Sequence, residues 1–244
     1  MVDISIVIRT KNEGKSLPLT LEKIYNQKID KTFEIIIVDS GSTDNTLEIA
    51  KRYNCRILKI PPHKFTYPYA LDFGTEHAKG ELVVYLSAHC QPVNDYWLYH
   101  LTKHFSDPKV AGVYGREIPI KGLNPVYEYF QLYELFPSDK QLISPPILFS
   151  NPNSCVRKDI WRKHKFNKEV FSRYRGKILL TGEDQLWAKE VKQDGYKIIY
   201  EPEAIVYHSH KFTIKNLRRA YSGGYLYKEL QFGLILKEKK ISKR

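Results

Sequence analysis

Polar residues gather where short apolar runs end. Ile4–Ile8 leads into Arg9, Thr10, Lys11, Asn12, Glu13 and Gly14, and Phe33–Val38 into Asp39, Ser40, Gly41, Ser42, Thr43 and Asp44. Glu81–Leu86 leads into Ser87, Ala88 and His89. Each stretch alone fits a turn or helix cap, with Asn45 and Glu48 placed as a capping-box-like pair. Three such stretches at three strand ends are what a ligand site requires. There Asp39 could accept from a base or ribose, as acidic residues at strand ends do in dinucleotide folds. Farther on, Glu183 and Asp184 stand at a helix start, where Thr181-x-x-Asp184 fits a capping box. The helix dipole favours both charges and lowers a carboxylate's pKa there. A last strand ends in His208, Ser209 and His210, with His208 the nearer to the strand.

The elements that must position these residues follow from periodicity. Ile4–Ile8 and Phe33–Val38 are continuous β-branched runs, the mark of strands buried on both faces of a parallel sheet. Between them Leu17, Leu21, Ile24 and Tyr25 recur at helical spacing after Ser16 and Pro18, a cap and a first-turn proline. A second helix carries Leu47, Ile49, Ala50 and Tyr53; a strand follows over 56–60, a helix over 67–77 and a strand over 81–86. This βαβαβαβ order with short connections implies right-handed crossovers and ligands at the strands' carboxyl ends. Beyond Gln91 the reading is a helix over 95–105, a strand over 110–114, a helix opening after Thr181 and stopping at Gly195, and strands over 197–200 and 204–207. The fold class is α/β, a Rossmann-like, mostly parallel central sheet flanked by helices. One domain spans 1–210, followed by a basic, partly helical extension over 211–244.

Composition narrows the function classes. The 244 residues carry a formal charge of +12 with 42% hydrophobic residues, enough to bury a sizeable core without staples. Three widely spaced cysteines, Cys55, Cys90 and Cys155, offer neither a disulfide framework nor a CxxC site, which suits a reducing cytosol. No secretory leader is visible, and the apolar stretch 221–236 is broken by Lys228, Glu229 and Gln231, so it is not a membrane span. The expected location is therefore cytoplasmic. Residues 211–244 hold ten Lys and Arg against two Glu, so this tail carries +8 of the net charge. Such a tail suits an anionic lipid surface, that is, peripheral contact with the cytoplasmic face of a membrane, or it is a solvated tail. A nucleic-acid-binding module is disfavoured, because the charge is not interleaved with aromatics on a sheet and no recognition motif accompanies it.

Six ordered blocks, SIVIRTKNEG, EIIIVDSGSTDNT, AKGELVVYLSAHCQP, NPNSCVRKDIW, TGEDQLWAKEV and YEPEAIVYHSH, resemble family 2 glycosyltransferases of GT-A fold, most of all their rhamnosyltransferase-like branch. The resemblance implies an inverting enzyme that moves a sugar from a UDP- or dTDP-sugar to a glycan or lipid-linked acceptor. It implies Asp184 as the carboxylate base with Glu183 supporting it. Thr10, Asn12, Glu13, Asp39, Ser40, Asp44, Ser87 and Ala88 then lie at the nucleotide-sugar side. Lys64 of PPHKFTYPYALDFG falls beside the donor, with a helix-start staple as the other reading of that loop. Asn151 and Asn153 fall on the acceptor side, and Trp161 and Trp187 read as core.

The chain departs from the common family pattern in one place. Asp-x-Asp is replaced by Ser87-Ala88-His89, with no carboxylate. A divalent cation, Mn²⁺ or Mg²⁺, is then expected on His89 and His208, with imidazole suiting Mn²⁺ better than the oxygen-preferring Mg²⁺. Alternatively His89 bonds the diphosphate directly, with Arg9, Lys11 and the basic tail supplying charge. A polyprenyl-phosphate sugar synthase and an inactive nucleotide-binding relative are the competing readings of the same fold.

Overall fold

The computed structural model describes residues 2–123, 142–143, 149–166 and 182–209. The first half follows the expected order: β1 (Ile4–Thr10), α1 (Leu17–Tyr25), β2 (Phe33–Asp39), α2 (Thr46–Arg52), β3 (Arg56–Lys59), α3 (Tyr67–His77) and β4 (Leu82–Ser87). Then come β5 (Gln91–Pro92), α4 (Trp97–Thr102), β6 (Val110–Ile118), β7 (Leu142–Ile143), β8 (Asn153–Arg157), α5 (Lys158–Lys163), α6 (Glu183–Gln193) and β9 (Lys197–Tyr207). They form one sheet in the order β3-β2-β1-β4-β8-β6-β9-β5, with β7 on β9.

The continuous apolar runs are explained by cover on both faces. Along β1, Ile4, Ile6 and Ile8 join the cluster of Leu17, Leu21 and Ile24 from α1. Val7 points the other way, into a cluster with Leu71, Trp161 and Trp187. Alternate residues of one strand thus serve two cores, as in any sheet with helices on both sides.

The sheet is parallel through β3, β2, β1 and β4 and becomes mixed at β8, which runs antiparallel to both β4 and β6. Periodicity gives no strand at β8 because its first residue is a polar Asn. The structure makes that residue affordable: the fully buried Asn153 amide donates to Ala204 O (2.8 Å) and Arg116 O (3.2 Å), and its oxygen accepts from Trp97 Nε1 (2.8 Å). Asn153 is therefore a structural residue of the sheet and not an acceptor-side group.

Other expectations are adjusted locally. Strands expected over 197–200 and 204–207 are one strand, β9, whose register against β6 jumps between Gly115–Glu201 and Arg116–Ile205. The bulge falls at Pro202, which has no N–H for the ladder. α4 is shorter than the expected 95–105, its last turn tightening into 3₁₀ geometry over Lys103–Ser106. Ser16 makes no cap bond to α1, because its hydroxyl donates to Glu13 Oε2 at 3.0 Å, and Asn45 makes none to α2. Trp161 and Trp187 are buried as expected. Among the described residues no helix is long and apolar enough to cross a membrane. His210 and the extension 211–244 lie outside the described residues.

Candidate functional site

Strand direction brings the polar residues to one rim. β1, β2 and β4 point their carboxyl ends there, β8 its amino end, and β6 and β9 their carboxyl ends, as the pairing directions require. The rim thus collects Thr10, Asp39, Ser87, His89, Asn151, Glu117 and His208, with the start of α6 tied in through Asn151.

One half of the rim is a loop built for an anion-lined cleft. Thr10 and Asp39 are parallel partners, and Thr10 Oγ1 donates to Asp39 Oδ1 at 3.3 Å. Asp39 also accepts from Gly41 N (2.9 Å), Ser42 N (3.1 Å) and the Ser42 hydroxyl. Ser40 is turned back, its amide and hydroxyl both on Thr10 O. Gly41 sits at φ +95°, and a Cβ there would stand 2.7 Å from Pro62, so glycine is required twice over. Asn12, at φ 57°, bridges the loops: its oxygen accepts from Thr43 N (2.7 Å) and its N–H donates to Ser42 Oγ (2.9 Å). Asp44 accepts from Gly14 N and Thr46 N, both at 3.0 Å, and the hydrogen bonds of Thr46 hold its pKa below the usual carboxylate range. Asp39, Gly41, Ser42, Lys59, Pro61 and Pro62 line a cleft of about 340 Å³. Lys64 is exposed on the following turn, and the Phe65 and Tyr67 rings meet edge to face at 5.3 Å. The Ala88 carbonyl is taken by Thr20 Oγ1 at 2.9 Å, and the Ser87 N–H by Pro152 O at 3.2 Å.

The other half carries the acids and imidazoles. Gly182, at φ +109°, opens α6 without a side-chain cap bond; Thr181 lies outside the described residues, so its capping-box role does too. Asp184 accepts from Gln185 N (2.9 Å) and, at 3.4 Å, from Asn151 N. Its residue surface is part exposed, yet the carboxyl is packed in protein beside Glu183. Here the dipole expectation is overturned. Burial first, then the Glu183 charge, push the Asp184 pKa up to about 8 against the backbone hydrogen bonds that favour its anion. Burial also raises Glu183, with the Arg9 guanidinium opposing it. Arg9, absent from the acid pattern, reaches this point from β1; it stands 4.8 Å over the Tyr67 ring, and its Nη1 is buried without a hydrogen-bond partner among the described residues.

His89 and His208 meet. Their ring centres are 5.2 Å apart with the planes tilted by 31°. Two imidazoles sharing one cation through metal–nitrogen bonds of about 2.1 Å place their ring centres roughly 4.5–5.5 Å apart, a spacing this pair meets. Each uses Nδ1 on a carboxylate: His89 on Glu13 Oε1 at 3.0 Å, and the buried His208 on Glu117 Oε2. Burial disfavours the Glu13 anion, but hydrogen bonds from His89 and Ser16 win and hold its pKa below the usual range. Glu117, 2% exposed, was not evident from periodicity; the only sequence signal is a charge inside the apolar run of β6. A second group, His100, Glu201 and Glu203, brings ligand atoms within 4.8 Å of one another. The Lys103 ammonium already stands 2.9 Å from Glu201 and 3.3 Å from Glu203, which makes this an ion network rather than a cation cage.

Comparison with known proteins bears on the family and the fold. Residues 5–171 match glycosyl transferase family 2. The chain is similar to the O-antigen chain rhamnosyltransferase RfbN of Salmonella typhimurium, at 27% identity over 86% of this chain and 67% of that one. It is also similar to WbaN of Salmonella anatum, another O-antigen chain rhamnosyltransferase, at 26% over 87% and 68%. Among solved structures, residues 1–349 of S. aureus TarS superpose with a TM-score of 0.65 at 19% identity, covering 85% of this chain and 60% of that one. The mannosyltransferase PcManGT of Pyrobaculum calidifontis, solved with GDP-Man and Mn²⁺, gives 0.59 at 22%, over 84% and 56%. The chain thus spans just over half the length of those two structures. With its fold, its rim of strand ends and two-thirds of its length matched, the chain belongs to glycosyl transferase family 2, the glycosyltransferases of GT-A fold.

Proposed function

We propose that the chain transfers a hexosyl or deoxyhexosyl group from a UDP- or dTDP-sugar to a hydroxyl of a glycan or lipid-linked acceptor, with inversion. Asp184 takes the proton from the acceptor hydroxyl. That oxygen bonds to the anomeric carbon as the carbon–oxygen bond to the diphosphate breaks, and the nucleoside diphosphate leaves with the bonding pair. The observation that carries this reading is Asp184 itself: a carboxyl on the rim, held by Asn151 N and Gln185 N, with its pKa lifted to about 8. A base is most effective with a pKa near the working pH. Glu183 supports it from the same helix turn.

The remaining residues take roles that their surroundings support. The cleft beside Asp39 is of a size for a pyrimidine base, with Thr10, Asn12, Ser40 and Asp44 fixing its walls, and Lys64, Ser87 and Ala88 belong to the donor side in this reading. The buried Arg9 Nη1 is available to an anionic diphosphate. His89 and His208 would hold a divalent cation, Mn²⁺ in preference to Mg²⁺, since their rings lie 5.2 Å apart and imidazole suits Mn²⁺. Bound there, the cation supplies positive charge against the leaving diphosphate. Two relatives named as rhamnosyltransferases favour a deoxyhexose donor. Peripheral membrane contact through the basic residues of 211–244, which would bring a lipid-linked acceptor close, belongs to this proposal as well.

The test is a thermal-shift panel of UDP, dTDP, GDP and CMP, each with Mn²⁺, Mg²⁺ or EDTA. At about 100 times its Kd a nucleotide adds about 2.7 kcal/mol, a shift on the order of 5–10 °C for this size. A shift selective for UDP or dTDP and enhanced by Mn²⁺ is expected. No selective shift with any nucleotide overturns the reading.

A further inference from the structure

The two histidines are held alike, though they come from strands that do not touch in the sheet. His89 follows β4 and His208 follows β9, with β8 and β6 between. Each gives Nδ1 to a glutamate, and each glutamate is fixed from behind by a serine hydroxyl: Ser16 on Glu13 at 3.0 Å, and Ser150 on Glu117. Glu117 and His208 are 2% and 3% exposed, so their pairing is sealed from water, where a charge-assisted bond is strongest. An imidazole that donates Nδ1–H carries its lone pair on Nε2. Ser150 is followed directly by Asn151, whose N–H reaches Asp184.

We propose that Glu117 is a positioning residue that locks His208 in the tautomer protonated on Nδ1, so that Nε2 faces His89, whose own tautomer Glu13 sets in the same way. The two dyads then form one nitrogen pair preorganised for a single divalent cation. Ser150–Asn151 anchors the Glu117 dyad and Asp184 with adjacent residues, so cation site and base share one backbone segment. The role of the cation rests on the function proposed above; the tautomer does not.

The experiment reads both. In the 244-residue protein with ¹⁵N-labelled histidine, without metal at pH 8, long-range ¹H–¹⁵N spectra should show His208 and His89 protonated on Nδ1. Glu117→Gln, which keeps the shape and an acceptor oxygen but removes the charge, should give His208 a mixture of tautomers while His89 is unchanged. A His208 ring protonated on Nε2 in the wild type overturns the proposal, and so does a Glu117→Gln spectrum identical to the wild type. Mn²⁺ titration followed by EPR in the presence of UDP should then show Glu117→Gln weaker by roughly 10- to 100-fold, and Ser150→Ala weaker by less. Equal affinity in wild type and Glu117→Gln also overturns it. If the wild type binds no Mn²⁺ while the tautomers are as stated, the cation reading fails and the locked histidines stand.

Discussion

The rings of His89 and His208 stand 5.2 Å apart although their strands are separated in the sheet by β8 and β6. They meet because β4 and β9 point the same way: β8 reverses once between β4 and β6, and β9 is parallel to β6. The antiparallel strand that periodicity passes over is therefore the element that brings the second histidine to the rim.

Asp184→Asn should abolish transfer while leaving nucleotide binding intact, because it removes the base and keeps the shape. A fall in kcat of about 10²- to 10⁴-fold is expected, checked by donor turnover beside the thermal shift with UDP or dTDP. In the wild type, kcat should rise with pH toward the Asp184 pKa of about 8 and level above it, since only the ionised carboxyl accepts a proton.

The same carboxyl makes a stability prediction of definite sign. Its folded pKa lies above the ordinary 3.8, so the folded state holds the proton longer than the unfolded chain. Its contribution is fully present below pH 3.8, declines between there and about pH 8, and is gone above. Asp184→Asn should therefore raise Tm more at pH 9 than at pH 5. An equal change at both pH values, measured by calorimetry, would show that the carboxyl is not raised.

Gly115→Ala should be among the most damaging substitutions at the rim. A Cβ there would lie 2.1 Å from Ala204 O and 2.5 Å from Asn153 Nδ2, at the β9 bulge. The carbonyl is backbone and Asn153 is already bonded to it, so neither can move cheaply. A loss of about 1–3 kcal/mol is expected, read as a lower urea midpoint with an unchanged m-value.

Truncation after residue 210 removes most of the excess charge and should cut binding to anionic vesicles while sparing donor binding. Unchanged sedimentation with vesicles of phosphatidylglycerol and phosphatidylcholine would end the membrane role.

Much of this was legible in residues. Continuous β-branched runs reveal strands buried on both faces, and Asp39, Asp44 and His89 mark the strand ends. What periodicity misses are groups whose burial depends on a distant partner. Asn153 is tolerable inside the sheet only because Trp97, Arg116 and Ala204 satisfy it, and Glu117 only because His208 and Ser150 do. The Asp184 pKa went the opposite way from a helix-start argument, since the dipole is local whereas desolvation depends on the whole fold.

The central claim is direct displacement with Asp184 as base, and ¹H NMR of donor hydrolysis tests it without an identified acceptor. The account predicts that sugar released from a UDP- or dTDP-sugar by the wild type first appears with inverted anomeric configuration, and that Asp184→Asn releases almost none. Retained configuration, or hydrolysis undiminished in the variant, would contradict it.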